Sequence, residues 1–297
     1  MSLLKGTITA LVTPFNEQGI DFEGLCENIE FQINSGVEGL LILGTTGETP
    51  TLTRKERVEI IKTTVEQVKG RVTVIVGTGT SCTKTTFDRT EEAQTLGANC
   101  ALIVTPYYTC PTQEGIYRHY QAIHDNIDIP ICLYNNPKRT GSVIETETIL
   151  RLSKLPRIIA IKDSTGSLNQ MKEVIGSNAE ITLLAGDDSR AHAMIQHQAK
   201  GLISVASNLI PSTIKQLVDC SLNGENQTAT ELNNHLKNLF DALTIESNPI
   251  PIKEAMNQWA LPAGPCRLPL WEMASANKEI LQETLSKYED LKPTATA

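Results

Sequence analysis

The stretch Ile158-Ile159-Ala160-Ile161, followed at once by Lys162-Asp163-Ser164-Thr165-Gly166, decides the fold. Four apolar residues in succession, rather than an alternation, read as a parallel strand covered on both faces, with a polar loop directly after it. Seven further runs of this kind surround it, at 8–12, 40–43, 72–76, 101–104, 131–134, 181–184 and 201–205. Helix-like stretches fill the intervals. Phe22, Leu25, Ile29 and Ile33 share one helical face that stops at Gly36, and Val58, Ile61, Val65 and Val68 form another that stops at Gly70. Thr53-Arg54-Lys55-Glu56 reads as a capping box at the head of the second. Similar stretches run near 83–96, 113–125, 145–155, 167–175, 189–199 and 212–222.

Eight strand–helix units in sequence predict a (β/α)8 TIM barrel, a doubly wound sheet being the main rival. Such a barrel spends roughly 250 residues on one core, which suits a chain of 297 residues. The units end near residue 224. The boundary is therefore drawn at 1–224 for the barrel and 225–297 for a C-terminal helical extension, with helices expected over 225–245, 251–261 and 270–291.

The composition, 40% apolar and 20% charged, is that of an ordinary globular chain, with a net charge of −8 and no lysine- or arginine-rich block. A nucleic-acid partner or an anionic membrane surface is not expected. Apolar runs are strand-sized, well short of the roughly 20 residues of a membrane span, and the N-terminus lacks the pattern of a signal peptide. Seven cysteines are scattered without a C-x-x-C pair, which fits reduced thiols and a cytoplasmic protein. Cys100 and Cys132 read as small core residues in strands.

In a barrel of this kind working residues sit at the C-terminal strand ends and in the loops that follow. Lys162 continues its strand into the barrel mouth. Burial disfavours the charged form of a lysine and leaves a free amine able to attack a carbonyl. The alternative is a lysine that begins a loop and reaches solvent. Tyr134 ends the preceding strand, where a phenol can carry protons to and from a carbinolamine, or can serve as an amphipathic barrel-end tyrosine. Thr45 and Thr46 lie in the glycine-bracketed turn Gly44-Thr45-Thr46-Gly47-Glu48; their hydroxyls suit a carboxylate or a proton relay, and a tight βα loop is the plainer reading. Arg139 is a candidate carboxylate anchor or a solvated loop residue. A metal site is not expected, because Asp187 and Asp188 lack partner ligands at useful spacing and the histidines form no metal-binding pattern. No phosphate-binding or serine-hydrolase motif is present.

Taken together, Gly44–Glu48, Thr105-Pro106-Tyr107-Tyr108, Tyr134-Asn135-x-Pro137 with Arg139-Thr140-Gly141, and Ile161-Lys162-Asp163 resemble the dihydrodipicolinate synthases. The likeness continues through Gly186-Asp187-Asp188, Ile203-Ser204-Val205, Asn248-Pro249-Ile250-Pro251 and Arg267-Leu268-Pro269-Leu270, in order along the chain. The resemblance implies that Lys162 forms a Schiff base with pyruvate and that the enamine attacks aspartate semialdehyde. It implies a proton relay of Tyr134, Thr46 and Tyr108, the last from a neighbouring subunit. Thr45, Gly186 and the Ile203 backbone fall at substrate-binding positions, and Arg139 at the entrance that holds the semialdehyde carboxylate. No cofactor is implied. A tyrosine shared between subunits implies at least a dimer, and the family suggests a homotetramer, a dimer of dimers. N-acetylneuraminate lyases share the barrel, lysine and tyrosine, but Thr45-Thr46 and Arg139-Thr140-Gly141 look like the synthase.

The likeness has one departure. Lysine-inhibited bacterial synthases carry specific polar groups and a glutamate in a cleft between subunits. The matching positions here are Pro50, Arg54, Arg57, Ser81 and Thr85, with Tyr107 retained. Two arginines and a missing carboxylate lead to the expectation that feedback inhibition by lysine is weak or absent.

Overall fold

Eight parallel strands close on themselves in the computed structural model, which describes residues 4–293. They are β1 (Gly6–Ala10), β2 (Gly39–Ile42), β3 (Thr73–Gly77), β4 (Cys100–Val104), β5 (Ile131–Asn135), β6 (Ile158–Asp163), β7 (Thr182–Ala185) and β8 (Gly201–Ser204). Each pairs with the next in sequence, and β8 returns to β1 through Ile8 opposite Ile203. Successive side chains alternate between the two faces of a strand. Ile8, Ala10, Leu41, Ile75, Leu102, Cys132, Ala160 and Leu184 accordingly fill the interior. Leu40, Ile42, Val74 and Val76 pack outward among helix residues such as Leu25, Ile29 and Ile61. The need for apolar groups on both faces is why the strands read as continuous apolar runs.

Helices α1 (Phe22–Asn34), α2 (Arg54–Val68), α3 (Thr83–Thr95), α4 (Gln113–His124), α5 (Thr146–Leu152), α6 (Leu168–Gly176), α7 (Ala191–Gln196) and α8 (Pro211–Asn223) alternate with the strands. The capping box of α2 forms as its sequence indicates: the Glu56 amide donates to Thr53 Oγ1 at 3.2 Å and the Thr53 amide donates to Glu56 Oε2 at 2.8 Å. Asp21, Thr112 and Ser167 cap α1, α4 and α6 in the same sense. The stretch expected as one helix over 189–199 is instead a 3-10 turn, Asp188–Arg190, followed by the short α7.

After the barrel come α9 (Asn226–Ala242), α10 (Ile250–Gln258) and α11 (Ser275–Leu285). The last helix starts five residues later than its apolar pattern suggests, because Trp271–Ala274 runs without helical structure after the Leu268-Pro269 turn. Helix α9 packs on α8 and on the Asp188–Arg190 turn, and α10 packs on the Ala206–Asn208 turn beyond β8. The extension shares one apolar core with the barrel through Leu236, Phe240, Ile252 and Leu281. It thereby reaches the rim where the strands end.

Candidate active site

The period-two alternation that points Ala160 inward also points Lys162 inward, one layer nearer the C-terminal rim. Lys162 is 5% exposed, and its Nζ lies 4.5 Å from the centre of the Tyr134 ring. Tyr134 is directly opposite it in the register of β5 and β6. Among the described residues no carboxylate pairs with Lys162. The two side chains floor a cavity of about 560 Å³ that Thr45, Thr46, Asn136, Arg139, Gly186 and Asn248 also line.

The threonines reach the cavity because the β2 loop is pinned at both ends. Leu43 and Glu48 take left-handed backbone angles, φ 55° and 52°, a conformation that costs a non-glycine residue of order 1–3 kcal/mol. Glu48 is buried, and its carboxylate meets the equally buried Lys253 of α10 at 2.9 Å. Its other oxygen accepts from the Arg267 amide at 2.9 Å. Lys253 Nζ also donates to the carbonyls of Thr13 and Pro265, at 3.0 and 2.7 Å. Burial pulls the Lys253 ammonium below the usual lysine range, and the facing Glu48 carboxylate works against that fall. Every buried charge in this pair is therefore met, the condition under which such a pair is tolerated.

Two asparagines hold the hydroxyls. Asn248, just before α10, donates through Nδ2 to Thr46 Oγ1 at 3.0 Å, and its carbonyl accepts from Arg139 Nη2 at 3.2 Å. Asn136 donates through Nδ2 to the Tyr134 hydroxyl at 2.7 Å. Arg139 sits on the single helical turn Pro137–Thr140, exposed at the cavity mouth. Gly186 lies where β7 leaves the barrel. A Cβ there would stand 2.1 Å from Ser164 Oγ and 2.8 Å from the Asp163 carbonyl, so only glycine lets these strand ends approach.

The structure thus brings Lys162, Tyr134, Thr45, Thr46, Arg139 and Gly186 to one cavity. Ile203 is fully buried on β8, and the wall there is formed by Val205. Tyr108 is 93% exposed at φ 73° and lies outside the cavity of its own chain. Asp188, weighed as a metal ligand in the sequence, is half-buried and accepts from Ser204 Oγ and from the amides of Val205 and Ala206, the latter two at 3.0 and 3.2 Å. Burial raises its carboxyl above the usual range. Its work is to fasten the β8 loop. Cys132, inside the barrel, is pushed up to about 12 by burial and stays a thiol. Sequence reasoning missed Asn136 and Lys253 and noted Asn248 only as part of a motif. The one available signal was Asn248-Pro249-Ile250-Pro251, which Lys253 follows by two residues.

Comparison with known proteins shows the family and the fold. Residues 3–288 match the model of the "Dihydrodipicolinate synthetase family". The 4-hydroxy-tetrahydrodipicolinate synthase of Protochlamydia amoebophila is 45% identical over 289 residues, covering 96% of each chain. The crystal structure of dihydrodipicolinate synthase from Aquifex aeolicus superposes with a TM-score of 0.95 at 40% identity, over 97% of this chain and 99% of that one. A structure described as the first monomeric dihydrodipicolinate synthase variant superposes with a TM-score of 0.93 at 35% identity, over 96% of each chain.

Proposed function

The chain belongs to the dihydrodipicolinate synthetase family, and on that premise we propose that Lys162 is the nucleophile through which it works. The reaction is the condensation of pyruvate with L-aspartate 4-semialdehyde to 4-hydroxy-tetrahydrodipicolinate, a lyase step of lysine (diaminopimelate) biosynthesis. The observation that carries the residue assignment is the buried Lys162 amine facing the Tyr134 ring at the floor of the cavity.

The unprotonated Lys162 amine attacks the keto carbon of pyruvate, and Tyr134 returns the proton that lets the carbinolamine lose water. The resulting imine gives up a methyl proton to become an enamine, whose carbon attacks the semialdehyde carbonyl. The substrate's own amine then adds to the imine carbon, Lys162 departs as free amine, and the ring closes. The Thr45–Thr46 turn offers donors for the pyruvate carboxylate, with Thr46 next in the relay after Tyr134. Arg139 at the mouth holds the semialdehyde carboxylate through its guanidinium.

Tyr108 completes the relay from a second copy of the chain, so the working form is a homo-oligomer, at least a dimer and in this reading a tetramer. The exposure of Tyr108 and Tyr107 on the outer surface supports this. A cytoplasmic setting fits the seven free cysteines. Among the described residues no helix is long and apolar enough to cross a membrane.

The test is a product assay that offers pyruvate with aspartate semialdehyde in parallel with N-acetylneuraminate. Product with the semialdehyde, and no cleavage of the sialic acid, is expected. The reverse pattern would overturn the assignment of the second substrate.

A further inference from the structure

We propose that Asn136 is a positioning residue for Tyr134, its side-chain amide fixing the phenol oxygen so that the phenol's one proton is aimed into the cavity. The proposal rests on the reading of Tyr134 as the proton carrier.

Both residues are 7% exposed, and Asn136 Nδ2 stands 2.7 Å from the Tyr134 hydroxyl. The Asn136 backbone, from which that amide projects, is fixed through its main-chain carbonyl. That carbonyl accepts from the amides of Arg139 and Thr140, each at 3.1 Å, and from Thr140 Oγ1 at 3.0 Å. The preceding asparagine has a different task. Asn135 accepts from the Ile144 amide at 2.9 Å and donates to the Ile144 carbonyl at 3.1 Å, which ties the loop back on the strand. One asparagine therefore shapes the loop and the next holds the tyrosine.

An amide NH2 can only donate, whereas a phenol has one proton to give and lone pairs that accept. With Asn136 on the oxygen, the phenol proton must point elsewhere. Among the described residues no acceptor takes it, and the open direction is the cavity that holds Lys162. The same N–H bonds more strongly as the oxygen gains negative charge while its proton is handed on. Other charged groups face this space: Lys162 from β6, Lys138 and Arg139 from the helical turn, Asp187, Asp188 and Arg190 after β7, and Glu246 after α9. None of them is hydrogen-bonded to the Asn136 side chain, whose one bond among the described residues is to the Tyr134 hydroxyl.

The experiment is single-turnover trapping of the pyruvate imine by borohydride in the full-length protein. Rates are scaled to the lysine that is labelled at the end point, so inactive chain does not count. Asn136→Leu removes the donor and is expected to slow trapping about fivefold, the worth of one net hydrogen bond. Asn136→Asp keeps the shape but accepts the phenol proton and draws it away from the cavity, so it should be slower still. In a Tyr134→Phe background neither change should slow trapping further. Wild-type rates in both Asn136 variants, with Tyr134→Phe slow, would overturn the proposal. So would equal slowing by the Asn136 changes with and without the phenol. A wild-type rate in Tyr134→Phe would instead overturn the reading of Tyr134 itself.

Discussion

Tyr134 and Lys162 face each other because β6 carries one residue more than β5 between their paired positions. Ile131 pairs with Ile158, but Cys132 pairs with Ala160, so Ile159 is the extra residue and the register shifts there. From that point the two strands run in phase, and Tyr134 and Lys162 turn into the barrel together. Side chains alternate faces with a period of two, so a slip of one residue would send one of the pair into the helix layer. The site is therefore set by strand register before any loop contributes.

Asn248 joins the extension to the β2 loop. Replacing it by alanine removes the donor on Thr46 Oγ1 and should lower kcat/KM about fivefold, as expected for one net hydrogen bond. Steady-state kinetics with both substrates check this, and unchanged kinetics would show that Thr46 needs no such support.

Lys253 supports the same loop from below. Lys253→Met leaves the Glu48 carboxylate buried without its cation, a loss that typically costs about 3–5 kcal/mol. Denaturant unfolding should show that fall. Adding Glu48→Leu should restore part of it, because the orphaned charge is then gone. A single variant as stable as wild type would contradict this account of the pair.

Glu56 ties the α2 cap to the C-terminal segment through Arg267 Nη2, 2.7 Å from its Oε1. The hydrogen bond from Arg267, with help from Thr53, holds its carboxyl down at about 2 from an ordinary 4.5. A carboxylate held down in the folded state adds stability that is complete above the unfolded value and is lost as pH falls through the folded one. Melting temperatures between pH 5 and pH 2 should therefore fall less steeply in Glu56→Gln than in wild type, from a lower start. Parallel curves would contradict the assignment.

Arg54 pairs with Glu92 at 2.8 Å, and Arg57 donates to the Leu52 carbonyl at 2.9 Å. Both line a surface cleft of about 760 Å³ in which Lys62 and Arg89 stand beside Thr85, Asp88, Glu91 and Glu92; Glu92 is taken by Arg54 and Asp88 by Lys84. Burial first, and then the nearby Arg89, hold the Arg57 guanidinium below its usual range, with Glu92 working against the fall. With Glu92 and Asp88 already paired, Arg57, Lys62 and Arg89 leave a lysine ammonium poorly received there. Assays with submillimolar lysine should show unchanged rates, and dose-dependent inhibition in that range would contradict the prediction.

The barrel was legible because each strand must be apolar on both faces, and because Thr53 and Glu56 announce a helix start in four residues. Lys162 and Tyr134 were legible as strand ends. The start of the last helix was not: Leu270, Trp271 and Met273 give a pattern that resembles a helix, yet Trp271 stays exposed and the segment bends around Pro269. Asn136 and Asn248 could not be read as holders of hydroxyls, since that depends on where two loops cross in space. Lys253 looks in the sequence like any solvated helix lysine, and only its meeting with Glu48, 205 positions away, gives it a task.

Mass spectrometry of the protein reduced with borohydride in the presence of pyruvate, beside a Lys162→Ala control, tests most directly whether Lys162 is the Schiff-base residue. A pyruvate-derived adduct is expected on the peptide that contains Lys162, and none in the control. Folded protein that forms no adduct, or forms one on another lysine, would contradict that assignment.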